Sequence, residues 1–140
     1  MKIFISSDHA GFQLKEDIKL FLKNKKYRFI DLGPKNNNRV DYPDYAHAVA
    51  KKVKNNKNFR GILVCGSGVG MVMTANKHKK IRAAQCYNEK STKLSRLHNN
   101  ANVITLGSRL TKKKVALKCI NLFLNTKFKG GRHSRRINKI

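Results

Sequence analysis

The chain has 140 residues and is 40% hydrophobic, enough for a single buried core, so one domain spanning residues 1–140 is expected. Its formal net charge is +25, from 32 Lys and Arg against 7 Asp and Glu, which is extreme for a globular enzyme and raises the question of phosphate-rich partners. No apolar run reaches the roughly 18–20 residues of a membrane span, the three cysteines form no CxxC pair, and the five histidines lack metal-ligand spacing, which speaks against a membrane protein, a disulfide scaffold and a zinc protein.

Lys2 to Ser6 is a β-type run, read as an opening strand and not as a signal peptide. It ends in the polar turn Ser7-Asp8-His9-Ala10-Gly11, after which Phe12, Leu14, Ile18, Phe21 and Leu22 recur at helical spacing. A second strand is predicted over Tyr27–Leu32, followed by Gly33-Pro34 and a surface loop to Arg39. Pro43 can open the next helix, with Ala46, Val49, Ala50 and Val53 on its inner face. The apolar run Gly61 to Cys65 reads as a buried central strand, and Gly66-Ser67-Gly68-Val69-Gly70 as the turn into a helix from about Val69 to Lys77. Arg82–Cys86 is a short fourth strand. Glu89 to about His98 is helical, with Leu94 and Leu97 expected inward, and Asn99-Asn100 ends it before the strand Val103–Leu106. A last helix carries Val115, Ala116, Cys119, Ile120, Phe123 and Leu124, and a basic C-terminal tail, residues 128–140, follows.

Five near-continuous apolar strands alternating with helices predict an α/β fold: a doubly wound, three-layer α/β/α sandwich on a five-stranded parallel, Rossmann-like sheet. In such a sheet ligands bind beyond the carboxyl ends of the strands, which gathers Asp8-His9, the Cys65–Gly70 stretch and the turn after Leu106 at one edge.

The glycine turn does not carry the dinucleotide fingerprint, which needs G-x-G-x-x-G and a later ribose-binding acid, nor a phosphate loop, because no Gly-Lys-Ser/Thr follows. A cysteine phosphatase would need an arginine soon after the thiol, where Met71-Val72-Met73 stands. What remains is a thiol at a helix N-terminus, where free amides and the helix dipole favour the thiolate, able to act as a base or a nucleophile. Cys86 and Cys119 read as small buried core residues. Asp8 could equally cap the first helix, and His98 could simply close the last turn of its own. Arg132 and Arg136, four apart, share one helix face and can converge on a phosphate. The basic residues recur in every segment, for example Lys23–Lys26, Lys51–Lys57, Lys77–Lys80 and Lys112–Lys114, so the charge is read as spread over solvated faces, with nucleic acid bound only non-specifically at low salt.

In order along the chain, Ser7-Asp8-His9-Ala10-Gly11-Phe12, Asp41-Tyr42-Pro43, Cys65-Gly66-Ser67-Gly68-Val69-Gly70 with Ala75-Asn76-Lys77, Ser95-Arg96-Leu97-His98-Asn99-Asn100-Ala101-Asn102, Gly107-Ser108-Arg109 and Gly130-Gly131-Arg132-His133 followed by Arg136 resemble the ribose-5-phosphate isomerase type B family, which also includes galactose-6-phosphate isomerase subunits. The resemblance covers essentially the whole chain. It implies an aldose-ketose isomerase of the pentose phosphate pathway that needs no metal or cofactor and moves a proton between C1 and C2 through a cis-enediolate. By the same resemblance Cys65 is the base, the amides of Gly66 to Gly70, Gly68 among them, hold the enediolate oxygen, and Ser67 orients the reacting end. His98 helps open the furanose ring with Asp8 assisting, Tyr42 and Asn99 line the sugar site, and His9, Arg132 and Arg136, with Arg109, hold the phosphate. Met71 stands where some family members carry a glutamate, which puts this chain in the cysteine-dependent branch. The resemblance also implies a cytoplasmic homodimer, or a tetramer, with sites shared between subunits. A six-carbon sugar phosphate such as allose or galactose 6-phosphate is the alternative substrate, and a basic nucleic-acid-binding protein the alternative from another class.

Overall fold

A computed structural model describes residues 1–140. Five strands, β1 (Lys2–Ser7), β2 (Phe29–Asp31), β3 (Phe59–Cys65), β4 (Ala83–Gln85) and β5 (Val103–Gly107), form one parallel sheet in the order β2-β1-β3-β5-β4. Each strand is separated from the next by a helix: α1 (Phe12–Asn24), α2 (Tyr42–Val53), α3 (Val69–Ala75) and α4 (Glu89–Asn99); α5 (Lys113–Asn125) and α6 (Arg132–Ile137) follow β5. This is the predicted doubly wound arrangement, because a parallel strand pair needs a crossover and the helices supply it.

Side-chain alternation along the central strands explains why they read as unbroken apolar runs. Ile3, Ile5, Ile62, Val64, Ile104 and Leu106 meet Leu14, Ile18 and Leu22 of α1 and Ala116, Ile120 and Phe123 of α5. Phe4, Leu63, Cys65 and Val103 point the other way, into Ala46, Val49, Ala50 and Val53 of α2 and Met71 and Ala75 of α3. Both faces of the sheet are covered, so both sets of alternating positions are mostly apolar, with Ser6, Ser7 and Thr105 the buried polar exceptions on β1 and β5.

The edge strands are shorter than predicted. The Tyr27 amide bonds back to the Leu22 carbonyl at 2.9 Å, which closes a turn after α1 and delays β2 to Phe29. Helix α4 also turns a different face inward: Leu94 is 38% exposed, whereas Thr92, Ser95 and Arg96 are buried. Residues 92, 95 and 96 share one helical face and Leu94 lies off it. Arg96 earns this place by satisfying backbone carbonyls: its Nη1 donates to the Ala101 carbonyl at 2.5 Å and to Asn100 Oδ1 at 2.9 Å, and its Nε to the Thr126 carbonyl at 3.2 Å. An apolar-periodicity reading has no means of choosing an arginine over a leucine.

Lys15, fully buried on α1, is the other departure from simple patterning. Its Nζ donates to both oxygens of Asp31 at 3.0 Å and to the Pro34 carbonyl at 2.6 Å, tying α1 to β2 and to the loop beyond it. Burial pushes the Asp31 carboxyl up, but hydrogen bonds from Lys19, the Gly33 amide and Lys15 outweigh it, and its pKa lies below the usual carboxylate value. Lys15→Ala should therefore cost about 2 kcal/mol at neutral pH, less than for a wholly buried pair because Asp31 keeps some solvent contact. A depressed carboxyl stabilises the fold above its unfolded pKa of 3.8 and loses that contribution as pH falls through the lower folded value, so the gap between wild type and Lys15→Ala in urea melts should narrow below pH 3.8.

Candidate active site

The carboxyl ends of β1, β3 and β5 open onto a cleft of about 330 Å³, lined by Asp8, His9, Ala10, Tyr42, Cys65, Gly66, Ser67, Gly70, Arg109 and Leu110. Eight of the sequence-predicted site residues meet here. Cys65 ends β3 with its side chain 4% exposed, and its Sγ accepts a hydrogen bond from the Gly68 amide at 3.0 Å. That bond forms because Gly68 adopts φ +82°, a left-handed conformation that favours glycine and starts α3. The Gly68 amide is thus committed to sulfur, while the amides of Gly66, Ser67 and Gly70 donate to no protein acceptor.

The turn is held from three sides. Ser108 and Arg109 amides donate to the Cys65 and Gly66 carbonyls at 2.8 and 3.0 Å, which fastens the end of β5 to the end of β3. The Arg109 guanidinium lies against Gly66. From the edge of the sheet, Gln85 Nε2 donates to the Ser67 carbonyl at 2.8 Å. Gln85 carried no sequence signal, because its role is to meet a carbonyl 18 residues away.

Asp8 stands between the start of α1, whose N-cap is Gly11, and the cleft. Its Oδ1 accepts from the Gly11 amide at 2.8 Å, a turn-closing bond at the start of α1, and the residue also lines the cleft, 7% exposed. His9 Nδ1 stands 3.3 Å from the Val40 carbonyl oxygen, which positions its ring between β1 and the α2 entry loop. Tyr42, the first residue of α2, lays its ring over Gly70.

The remaining predicted residues lie elsewhere. Helix α4 runs antiparallel to the strands, so His98 and Asn99 in its last turn sit at the amino edge of the sheet, roughly 16 Å along the helix from its start. There the His98 ring stacks on His133 of α6, with centroids 4.3 Å apart and planes 10° off parallel. Arg132 and Arg136 flank His133 on the same short helix. Burial and the positive charge of His98, Arg132, Arg136 and Lys129 push the His133 pKa below the ordinary imidazole value. One chain therefore contains two halves of the predicted constellation, Asp8, His9, Tyr42, Cys65, Ser67 and Arg109 at one edge, and His98, Asn99, Arg132 and Arg136 near the other. No group of three or more His, Cys, Asp or Glu side chains is placed to hold a metal ion.

A thiol and unpaired amides at the carboxyl edge of a doubly wound parallel sheet define an α/β protein built to bind a small anionic ligand. Residues 3–140 match the ribose/galactose isomerase family, and the chain belongs to it. A ribose-5-phosphate isomerase B from Clostridium thermocellum superposes with a TM-score of 0.96 at 45% identity, covering 99% of this chain and 94% of that one. The Mycoplasma genitalium ribose-5-phosphate isomerase B, solved with bound ribulose-5-phosphate, gives a TM-score of 0.95 at 48% identity over 99% and 92% of the two chains. A ribose-5-P isomerase B of Listeria innocua is 40% identical over 138 residues, 99% of this chain and 93% of that protein.

The turn's tolerance can be tested at two glycines. A Cβ on Gly107 would stand 2.5 Å from the Ser67 carbonyl oxygen and 2.6 Å from its carbon, both backbone, whereas one on Gly70 would meet only the exposed ring of Tyr42. Gly107→Ala should cost about 3 kcal/mol in urea melts and Gly70→Ala less than about 1, because a ring can swing away and the backbones of β5 and the turn cannot.

Proposed function

We propose that this protein interconverts ribose 5-phosphate and ribulose 5-phosphate, acting as a single-domain cytoplasmic enzyme. The observation that carries the reading is the match, over 99% of the chain, to a structure holding ribulose-5-phosphate. It is supported by a cleft that joins a thiol to unpaired amides and by cysteines that are all free, as in a reducing compartment. No helix is long and apolar enough to cross a membrane.

In this reading the Cys65 thiolate removes the C2 proton of the open aldose, the electron pair moves into an enediolate, the O2 proton passes to O1, and the carbon-bound proton returns to C1 to give the ketose. The Gly66, Ser67 and Gly70 amides stabilise the oxyanion as it forms, which lowers the barrier more than binding substrate alone would. The Gly68 amide stays on the sulfur. Ser67 orients the reacting end and Asp8 assists at the ring hydroxyls. His9 and Arg109, both in the cleft lining, hold the phosphate with Arg132 and Arg136.

Those two arginines, with His98 and Asn99, come from a second copy of the chain. The geometry motivates this directly: His98 cannot open a sugar ring beside Cys65 of its own chain while it stands at the opposite edge of the sheet. The functional unit is accordingly a homodimer in which each site draws on both subunits.

Assay of ribose 5-phosphate conversion should show kcat reduced about 10²–10⁴-fold in Cys65→Ala, and undiminished activity would remove the thiol as base. Arg132→Ala should raise KM for ribose 5-phosphate more than it lowers kcat, while kcat/KM compared across ribose, allose and galactose phosphates fixes the sugar length. Co-refolding inactive Cys65→Ala with inactive His98→Ala should restore roughly a quarter of wild-type activity, since half the dimers are mixed and each of those rebuilds one intact site. No recovery on mixing would place both residues in one subunit's site.

A further inference from the structure

A second charged cavity, of about 230 Å³, lies at the amino edge of the sheet, the far end of β3 from Cys65 and roughly 20 Å from it. Five of its nine lining residues are cations: Lys54 and Lys57 from the α2–β3 connection, Arg60 of β3, and Lys80 and Arg82 ahead of β4. Three asparagines and a valine complete it, and none of the chain's acidic residues reaches it.

Some of this charge has a structural task. Arg82 Nε donates to the Asn99 and Asn100 carbonyls at 3.0 and 3.2 Å, and Arg96 beneath it bonds the Ala101 carbonyl, so both close the C-terminus of α4. Carbonyls satisfy donors but do not neutralise a cation. Burial first, and then the neighbouring charges of Arg60 and Arg82, lower the Arg96 pKa to about 10, and burial and then Arg82 lower that of Arg60. Arg60 adds an independent sign of an absent partner. Its Nη1 reaches the Lys57 and Phe59 carbonyls at 2.9 and 2.8 Å, but its Nε is buried with no acceptor, and a buried guanidinium donor left unpaired is costly.

We propose that this amino-edge cavity binds a compact phosphate anion, from inorganic phosphate to a triphosphate chain, at a site separate from the Cys65 cleft. The ligand class follows from the lining. Guanidinium forks and ammonium groups pair best with phosphate oxygens, the asparagine side chains add neutral hydrogen-bonding groups, and a volume below the roughly 300–1,000 Å³ of pockets for drug-sized ligands suits a phosphate chain better than a whole nucleotide. The +25 charge, which a sugar-phosphate cleft does not need, acquires a local purpose here.

The test titrates inorganic tripolyphosphate into the intact protein, followed by backbone amide NMR, with wild type, Lys54→Gln/Lys57→Gln and Arg60→Gln. Saturable shifts confined to residues 54–60 and 80–82 are expected. The double variant, whose two side chains are exposed and whose fold should be unaffected, should bind about tenfold more weakly, the equivalent of one lost charge-assisted contact, with kcat/KM for ribose 5-phosphate unchanged. Unaltered affinity in both variants would overturn the proposal. So would shifts only at the Cys65 cleft, or binding of a duplex oligonucleotide with no saturable response to tripolyphosphate, which would mark the lysines as a diffuse nucleic-acid surface. Because the readout is the amide shift, it stands whether or not the chain isomerises ribose 5-phosphate.

Discussion

The close approach of β5 to the turn after β3 is the constraint on which the carboxyl-edge cleft depends. Gly107 passes the Ser67 carbonyl so tightly that no side chain fits, and from there the Ser108 and Arg109 amides clamp the Cys65 and Gly66 carbonyls. With the turn pinned, Gly68 takes its left-handed conformation and aims an amide at the thiol. The remaining amides are then left without internal partners, in a place where a helix dipole and a walled cleft favour negative charge. Packing thus precedes chemistry: the same contacts that join two strands leave the donors unspent.

A second constraint follows from the parallel sheet. A crossover helix must run back against its strands, so the last turn of α4 is carried to the edge opposite the cleft, together with the His98–His133 stack and the arginines of α6. A monomer of this fold cannot bring its two sets of polar residues together by any local rearrangement, since α4 is anchored through Arg96 and the α5 contact. The homodimer proposed above would answer this with no change in the chain's own structure.

Charge is distributed with similar economy. Four of the seven acids, Glu16, Asp17, Asp31 and Glu89, are engaged by lysines, and Asp8 lines the cleft. Helix α1 and its surroundings hold three of the four, so the amino edge near Arg60 and Arg82 is left wholly positive. The excess is therefore not uniform, although the sequence shows lysine in every segment.

The sequence by itself determined the layers and the glycine turn that follows the Cys65 thiol. Apolar runs bounded by helical periodicity identify five covered strands, and a thiol followed by three glycines in five residues can sit only where a strand hands over to a helix. Motif order extended this to the family and to its set of polar residues. What pattern could not supply were choices made by contacts far apart in the chain. Arg96 replaces Leu94 on the buried face of α4 because two backbone carbonyls and the Asn100 side-chain oxygen need a donor there, Lys15 is buried because Asp31 and the Pro34 carbonyl meet it, and Gln85 holds the turn from another strand. The tertiary structure alone decided that Cys65 and His98 lie at opposite edges, because which end of a sheet a residue reaches is set by the direction of its helix, and proximity in space is not written in spacing along the chain.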